Sequence, residues 1–143
     1  MPGMFVELID FNGMPARVDA STVIKLRPAL GSSGDPLGSS GDPDGCVLVD
    51  YASGGLFAIG DLEGIAELIR PYIHLAALHA PDGTPIFVNA RGIAALEVDD
   101  RYAGSCVAVV AKDFENRRVP ARNKIALRET VDEAQAILEA AQH

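Results

Sequence analysis

Two cysteines, Cys46 and Cys106, are all that the 143 residues contain, too few for a scaffold held by several disulfides. Long apolar runs are also missing. The hydrophobic stretches are short and broken by polar residues, which excludes a membrane-spanning helix. The start, MPGMFVELID, has no basic beginning and no apolar stretch ending in small residues. No secretory signal is therefore expected, and the cytoplasm is the default compartment. A surplus of basic charge is lacking too. The formal charge of −8 argues against a protein whose main role is gripping nucleic-acid phosphates.

The motifs of catalysis are equally scarce. There is no Gly-x-Ser-x-Gly elbow, no Gly-rich phosphate loop ending in Lys-Ser/Thr and no His-Glu-x-x-His. His74 and His79 are five apart, which puts them on opposite faces of a strand and about 140° apart on a helix. Two ligands facing one metal need better spacing. The carboxylate pair Asp99-Asp100 falls in an expected hairpin loop, and Asp132-Glu133 in the first turn of an expected helix, where acids favour the dipole. Both read as structural. No catalytic residue, cofactor site or metal ligand is expected, and a non-enzyme is preferred.

What is present is a repeat. A composition of 48% hydrophobic and 22% charged residues is globular, and a chain of this size buries roughly 68–70% of its unfolded surface. With a shift of 70, DGTPIFVNARGI (82–93) falls on NGMPARVDASTV (12–23) without a gap. With a shift of 60, CVAVVA (106–111) overlies CVLVDY (46–51). With a shift of 69, VDEAQAIL (131–138) overlies LEGIAELI (62–69), and Thr130 overlies Asp61. Chance supplies apolar coincidences, but not a turn dipeptide, a proline and a cysteine in one order. The chain is one β-rich module written twice, over 1–72 and 73–143.

Each copy reads as the same series of elements. FVELID and HLAALHA alternate as strands do, although Ala, Leu and His in the second also suit a helix. Asn12-Gly13 and Asp82-Gly83 signal tight hairpins of type I′, followed by strands at ARVDA and IFVNA. Further strands are expected at TVIKLRP and GIAALEV, then at the valine-dense CVLVDY and CVAVVA, with GLFAIG and KIALRE closing each sheet. A helix ends each copy. Thr130 and Glu133 form a capping box, and Asp61 caps the first. Leu62, Ile65, Ala66, Leu68 and Ile69 make the apolar face of one helix; Val131, Ala134, Ile137 and Leu138 make that of the other. The two cysteines begin matching strands and read as small buried hydrophobes. A disulfide or metal pair across a pseudo-two-fold axis is the alternative, and it needs Cα atoms within about 7 Å.

The copies differ in their extensions. Residues 30–43, LGSSGDPLGSSGDP, repeat one heptapeptide and read as a flexible surface loop spanning 30–45. Its aspartates Asp35, Asp42 and Asp44 lack the close spacing of a calcium loop. The second copy carries KDFENRRVPARNK instead. From Lys112 to Arg128 the net charge is +4, so the remainder sums to −12. Lys112, Arg117, Arg118, Arg122, Lys124 and Arg128 are the candidate contact residues, for an acidic protein surface or another copy of the chain. Only Phe114 could stack on a base, so nucleic acid ranks third.

The stretches LIDFNGMPARVDASTVIKLRP and CVLVDYASGGLFAIGDLEGIAELI, and more loosely the second copy through RETVDEAQAIL, resemble the small FlbD-type (SwrD-type) bacterial domain linked to flagella and swarming. That family has an Asn-Gly hairpin, a valine-rich strand, a Gly-containing turn and a short acid-capped helix. The resemblance implies a small non-enzymatic accessory fold, and it carries no functional residue with it.

The expected fold is thus α+β, a tandem repeat of two hairpin-rich units, sheet or barrel-like, each ending in one helix and packed with pseudo-two-fold symmetry. A unit of this size is marginal alone, so the copies should pack together. Such a duplication suggests an ancestor that dimerised. The expected function is a non-catalytic cytoplasmic interaction or accessory protein, with a homodimer as one form. A small-ligand or enzymatic site in a cleft between the repeats is the alternative.

Overall fold

The computed structural model describes residues 5–28, 45–51, 54–98, 106–111 and 124–142. The Gly-Ser-Asp-Pro segment, Asp99-Asp100 and residues 112–123 lie outside them. Within the first repeat run β1 (Phe5–Ile9), β2 (Pro15–Asp19), β3 (Val23–Pro28), β4 (Cys46–Tyr51), β5 (Gly54–Ile59) and α1 (Leu62–Ile69). The second repeat gives β6 (Leu75–His79), β7 (Pro85–Asn89), β8 (Ile93–Val98), β9 (Cys106–Val110), β10 (Lys124–Leu127) and α2 (Val131–Ala141). The ambiguous HLAALHA segment is a strand, because Ala76 and Leu78 alternate inward against the neighbouring Ile86 and Val88. The fold is α+β, with two β-rich units each followed by a helix.

In each unit a hairpin precedes a three-stranded meander. β1 pairs with β2, and β3, β4 and β5 follow one another; β6 pairs with β7, and β8, β9 and β10 follow. The units do not stay separate. β7 adds antiparallel to β3, with Val88 opposite Lys25 and Phe87 opposite Leu26, making one five-stranded sheet β5-β4-β3-β7-β6. A short 3-10 turn, Ala20–Thr22 or Ala90–Gly92, joins hairpin to meander in each unit.

The hairpin turns correct the type I′ expectation. That turn needs positive φ at both central residues, yet among the described residues only glycines have positive φ. The Gly13 amide donates to Asp10 carbonyl (2.8 Å) and the Asp10 amide to Met14 carbonyl (2.9 Å). The loop is therefore three residues long, a type I turn ended by Gly13 at φ 83°. Ala80, Gly83 and Thr84 repeat the same two bonds, with Gly83 at φ 91°. Local chemistry selects this form. The Asp10 carboxylate accepts from the amides of Asn12 and Met14, and Pro81 is preset for the second position of a type I turn.

Two apolar clusters make the core. The first joins Leu8, Val18, Val23, Leu26, Val47, Val49 and Ala58 to Ile65, Ala66 and Ile69 of α1. The second joins Leu78, Val88, Cys106, Ala108, Ile125 and Leu127 to Ala134 and Leu138 of α2. Side chains cross both ways: buried Phe87 of the second unit enters the first cluster, with partly buried Ile73 and Leu75 packed against it, and Ile24 of the first enters the second. The helix starts form as the capping residues predict. Asp61 accepts from the Gly64 amide at 3.0 Å, and Thr130 with Glu133 forms a complete capping box. Leu68 departs from its expected place on the apolar face. Standing about 100° round α1 from Ile69, it falls outside the stripe of Ile65, Ala66 and Ile69 and is exposed.

Candidate interaction surface

The two units present different outward faces at the same structural place. In β1, Val6 and Leu8 turn inward while Phe5, Glu7 and Ile9 turn out. Just past the strand Asp10 bridges to Ala58, and the Phe11 amide donates to the Phe57 carbonyl at 3.0 Å. Ala58 is buried, so its neighbours Phe57 and Ile59 point outward beside Phe11 and Ile9. The Phe11 and Phe57 rings meet edge-on, 6.3 Å apart at 87°. Phe5 (57% exposed), Phe11 (53%) and Met14 (60%), with Ile9 and Ile59, are five of the eight exposed large hydrophobics among the described residues. Ile9, Phe11 and Ile59 lie together at the β1–β5 seam beside Phe57. Met14 follows just past the turn, and Phe5 shares the outward face of β1 at its far end, a grouping larger than single scattered residues.

The repeat places other residues there in the second unit. His79 stands for Ile9, Pro81 for Phe11, Thr84 for Met14 and Arg128 for Ile59. The seam survives, since the Arg128 amide donates to the His79 carbonyl at 2.9 Å. Its surface is polar and basic where the first is apolar.

Behind that seam lies a group that motif searching passes over. Glu129 is buried, its side chain 9% exposed against 38% for His79. Its Oε1 accepts from the His79 amide at 3.0 Å, and its Oε2 lies 2.7 Å from His79 Nδ1, which serves as donor to it. The carboxylate thus satisfies a strand amide and fixes a ring together, tying β6 to the entry of α2. A signal for it exists in the sequence. KIALRE alternates out and in from Lys124, which puts Glu129 at an inward position where an acid needs partners. Asp50 is similar: it is buried on β4, opposite Lys25 of β3, with Nζ 3.8 Å from Oδ2.

Of the contact residues expected from the sequence, Lys112, Arg117, Arg118 and Arg122 fall outside the described residues. Lys124 opens β10 and Arg128 follows its end, both outward while Ile125 and Leu127 turn in. Lys124 Nζ is 3.8 Å from Glu97 Oε1, and both are well exposed, so the pair contributes little. Arg128 lies against the Gly83 turn. The cysteines are both buried, and no disulfide joins them.

A groove of about 290 Å³ runs between β8 and α2, walled by Ile93, Leu96, Val131 and Leu138, with Gln135 and Glu139 on its polar side. It belongs to the second unit alone and includes neither His79 nor Glu129. At the junction of the units Leu26 and Val88 are fully buried instead. Among the described residues no group of three His, Cys, Asp or Glu side chains could hold a metal ion, and no helix is long and apolar enough to cross a membrane. Comparison with protein-family models, with curated proteins and with solved structures returned no match.

Proposed function

We propose that this is a non-catalytic interaction protein that docks on an acidic protein surface through the basic stretch Lys112–Arg128 and the apolar band of the first unit. The observation that carries this reading is the unequal use of one seam. Two copies of one module join the corresponding strands there, through different backbone bonds, yet one exposes Phe5, Ile9, Phe11, Met14 and Ile59 and the other Arg128 beside a half-buried His79. A fold needs neither set outward. A chain with an apolar band and a separate basic stretch suits a partner that offers both hydrophobic contact and acidic charge. The acidic body of another copy, at −12 outside the basic stretch, is one such surface. The resemblance to the FlbD/SwrD-type domain agrees with an accessory role of this kind.

The test compares co-purifying partners and solution mass for three proteins: the wild type, a reversal of Arg117, Arg118 and Arg122 to Glu, and Ile9→Asp with Phe11→Ser. Loss of the same complex in both variants supports the reading. A complex indifferent to both sinks it. Mass that falls with rising salt identifies the partner as a second copy.

A further inference from the structure

The three sheets are parts of one path. The Phe11–Phe57 bond joins β1 to β5, the Arg128–His79 bond joins β10 to β6, and β7 pairs with β3. Strand neighbours therefore run β2-β1-β5-β4-β3-β7-β6-β10-β9-β8. The path has two ends, β2 and β8, and neither outer edge carries a strand among the described residues.

The repeat relates these two ends to each other. A shift of 70 carries β3 onto β8, and the same shift reversed carries β7 onto β2. The pair β8–β2 is thus the image of the β3–β7 junction, the strand pairing by which the units already recognise each other. At that junction Leu26 faces Phe87, whose ring lies 5.3 Å under the Arg70 guanidinium. The image residues are Leu96, Arg17 and Glu139. Leu96 and Glu139 line the open groove between β8 and α2, and Arg17 is exposed on β2. An aromatic ring under a cation has been exchanged for an arginine and a carboxylate, each complementary to the other across an unfilled space. The edge itself is incomplete. Val23, Ile24 and Leu26 of β3 are buried, whereas on β8 Ala94 and Ala95 are exposed and Val98 is 71% exposed. An apolar edge of this kind is a template for another strand.

We propose that the β8–α2 groove receives β2 of a second copy of this chain. β2 runs antiparallel along β8, with Arg17 opposite Leu96 and Val18 opposite Ala95, and the Arg17 guanidinium meets the Glu139 carboxylate. Each copy gives one β2 and receives one, so the dimer closes with two-fold symmetry. The proposal goes beyond the basic stretch and uses none of its residues.

Light scattering on the full chain tests it through a charge exchange. The wild type is expected to be a dimer. Arg17→Glu and Glu139→Arg should each raise the dimer dissociation constant by about tenfold or more, with circular dichroism unchanged because both side chains are exposed. An equimolar mixture of the two variants should dimerise again, since every junction then holds one Glu and one Arg. Pairing of β2 with β8 inside one chain cannot produce rescue by mixing. A monomeric wild type, a dimer indifferent to both substitutions, or a mixture that stays dissociated overturns the proposal. Reversal of Arg117, Arg118 and Arg122 should leave this dimer intact, which separates its fate from that of the basic surface.

Discussion

Asn89 of the second unit donates its side-chain amide to the carbonyl of Val23 in the first, at 2.9 Å, within the buried junction of the repeats. Its carbonyl oxygen meanwhile accepts from the Arg91 amide and starts the 3-10 turn. Asp19, the image residue, starts its own turn in the same way, its carboxylate accepting from the Ser21 amide and hydroxyl. As an acceptor alone, it has no amide to donate. The one-atom difference between the repeats marks which copy reaches across. Asn89→Asp removes the donor from a buried carbonyl, and urea unfolding should show a loss of about 1–3 kcal/mol. Asp19→Asn should stay within about 0.5 kcal/mol.

Glu129 has two bonds to one residue, and both are lost together. Glu129→Ala leaves the His79 amide and ring without their acceptor in a half-buried place, so unfolding should cost about 1–3 kcal/mol. His79→Ala leaves the amide bond intact and should cost less. Equal losses in the two variants would mean that the ring contact carries the whole effect.

A helix cap and a hairpin turn give a pH dependence with a definite sign. Backbone and then side-chain hydrogen bonds from Thr130 hold Glu133 below the ordinary carboxylate range, and the Thr84 hydroxyl and then its amide do the same for Asp82. Depressed folded values mean stability that is complete above the unfolded carboxylate pKa, near 4. It is lost as pH falls through the lower folded values. Thr130→Ala removes the N-cap on the Glu133 amide, a loss of about 1 kcal/mol at neutral pH. Because it also removes the hydroxyl's bond to the Glu133 carboxylate, its difference from wild type should shrink somewhat on acidification. A difference that grows in acid would contradict the cap.

Gly13 and Gly83 hold the hairpins open by conformation. A Cβ at Gly13 would meet nothing within 4 Å, so Gly13→Ala measures the left-handed backbone alone, about 1 kcal/mol. Gly83→Ala adds the nearby Arg128 side chain and should cost at least as much. Thermal melts of the two variants check the order.

Among the described residues, the sequence made both helices and the strands legible, with HLAALHA left between strand and helix; Val6 and Leu8, or Ile125 and Leu127, alternate as buried strand residues must. Capping chemistry did the same for Asp61 and Thr130. The turn type was not legible, because Asn12-Gly13 permits either loop and the choice lies with Asp10 two residues earlier. Nor was the β3–β7 pairing. Phe87 looks like any core residue of its own hairpin, and nothing local says that it packs under Arg70 of the other copy. The apolar band escaped for a related reason. Ile9, Phe11 and Ile59 are individually ordinary, and only the Asp10–Ala58 bridge aligns them on one side.

The β3–β7 pairing also sets the order in which the molecule can be completed. β3 emerges from the ribosome some sixty residues before the strand that covers its edge, and Phe87, a member of the first core, arrives with that later strand. The first repeat therefore waits, hydrogen-bonded on one side only, until the second has been translated at about 5–20 residues per second. A nascent chain of this design holds an unfinished sheet exposed for seconds, and its closing contacts are among the most distant in the sequence, which slows folding.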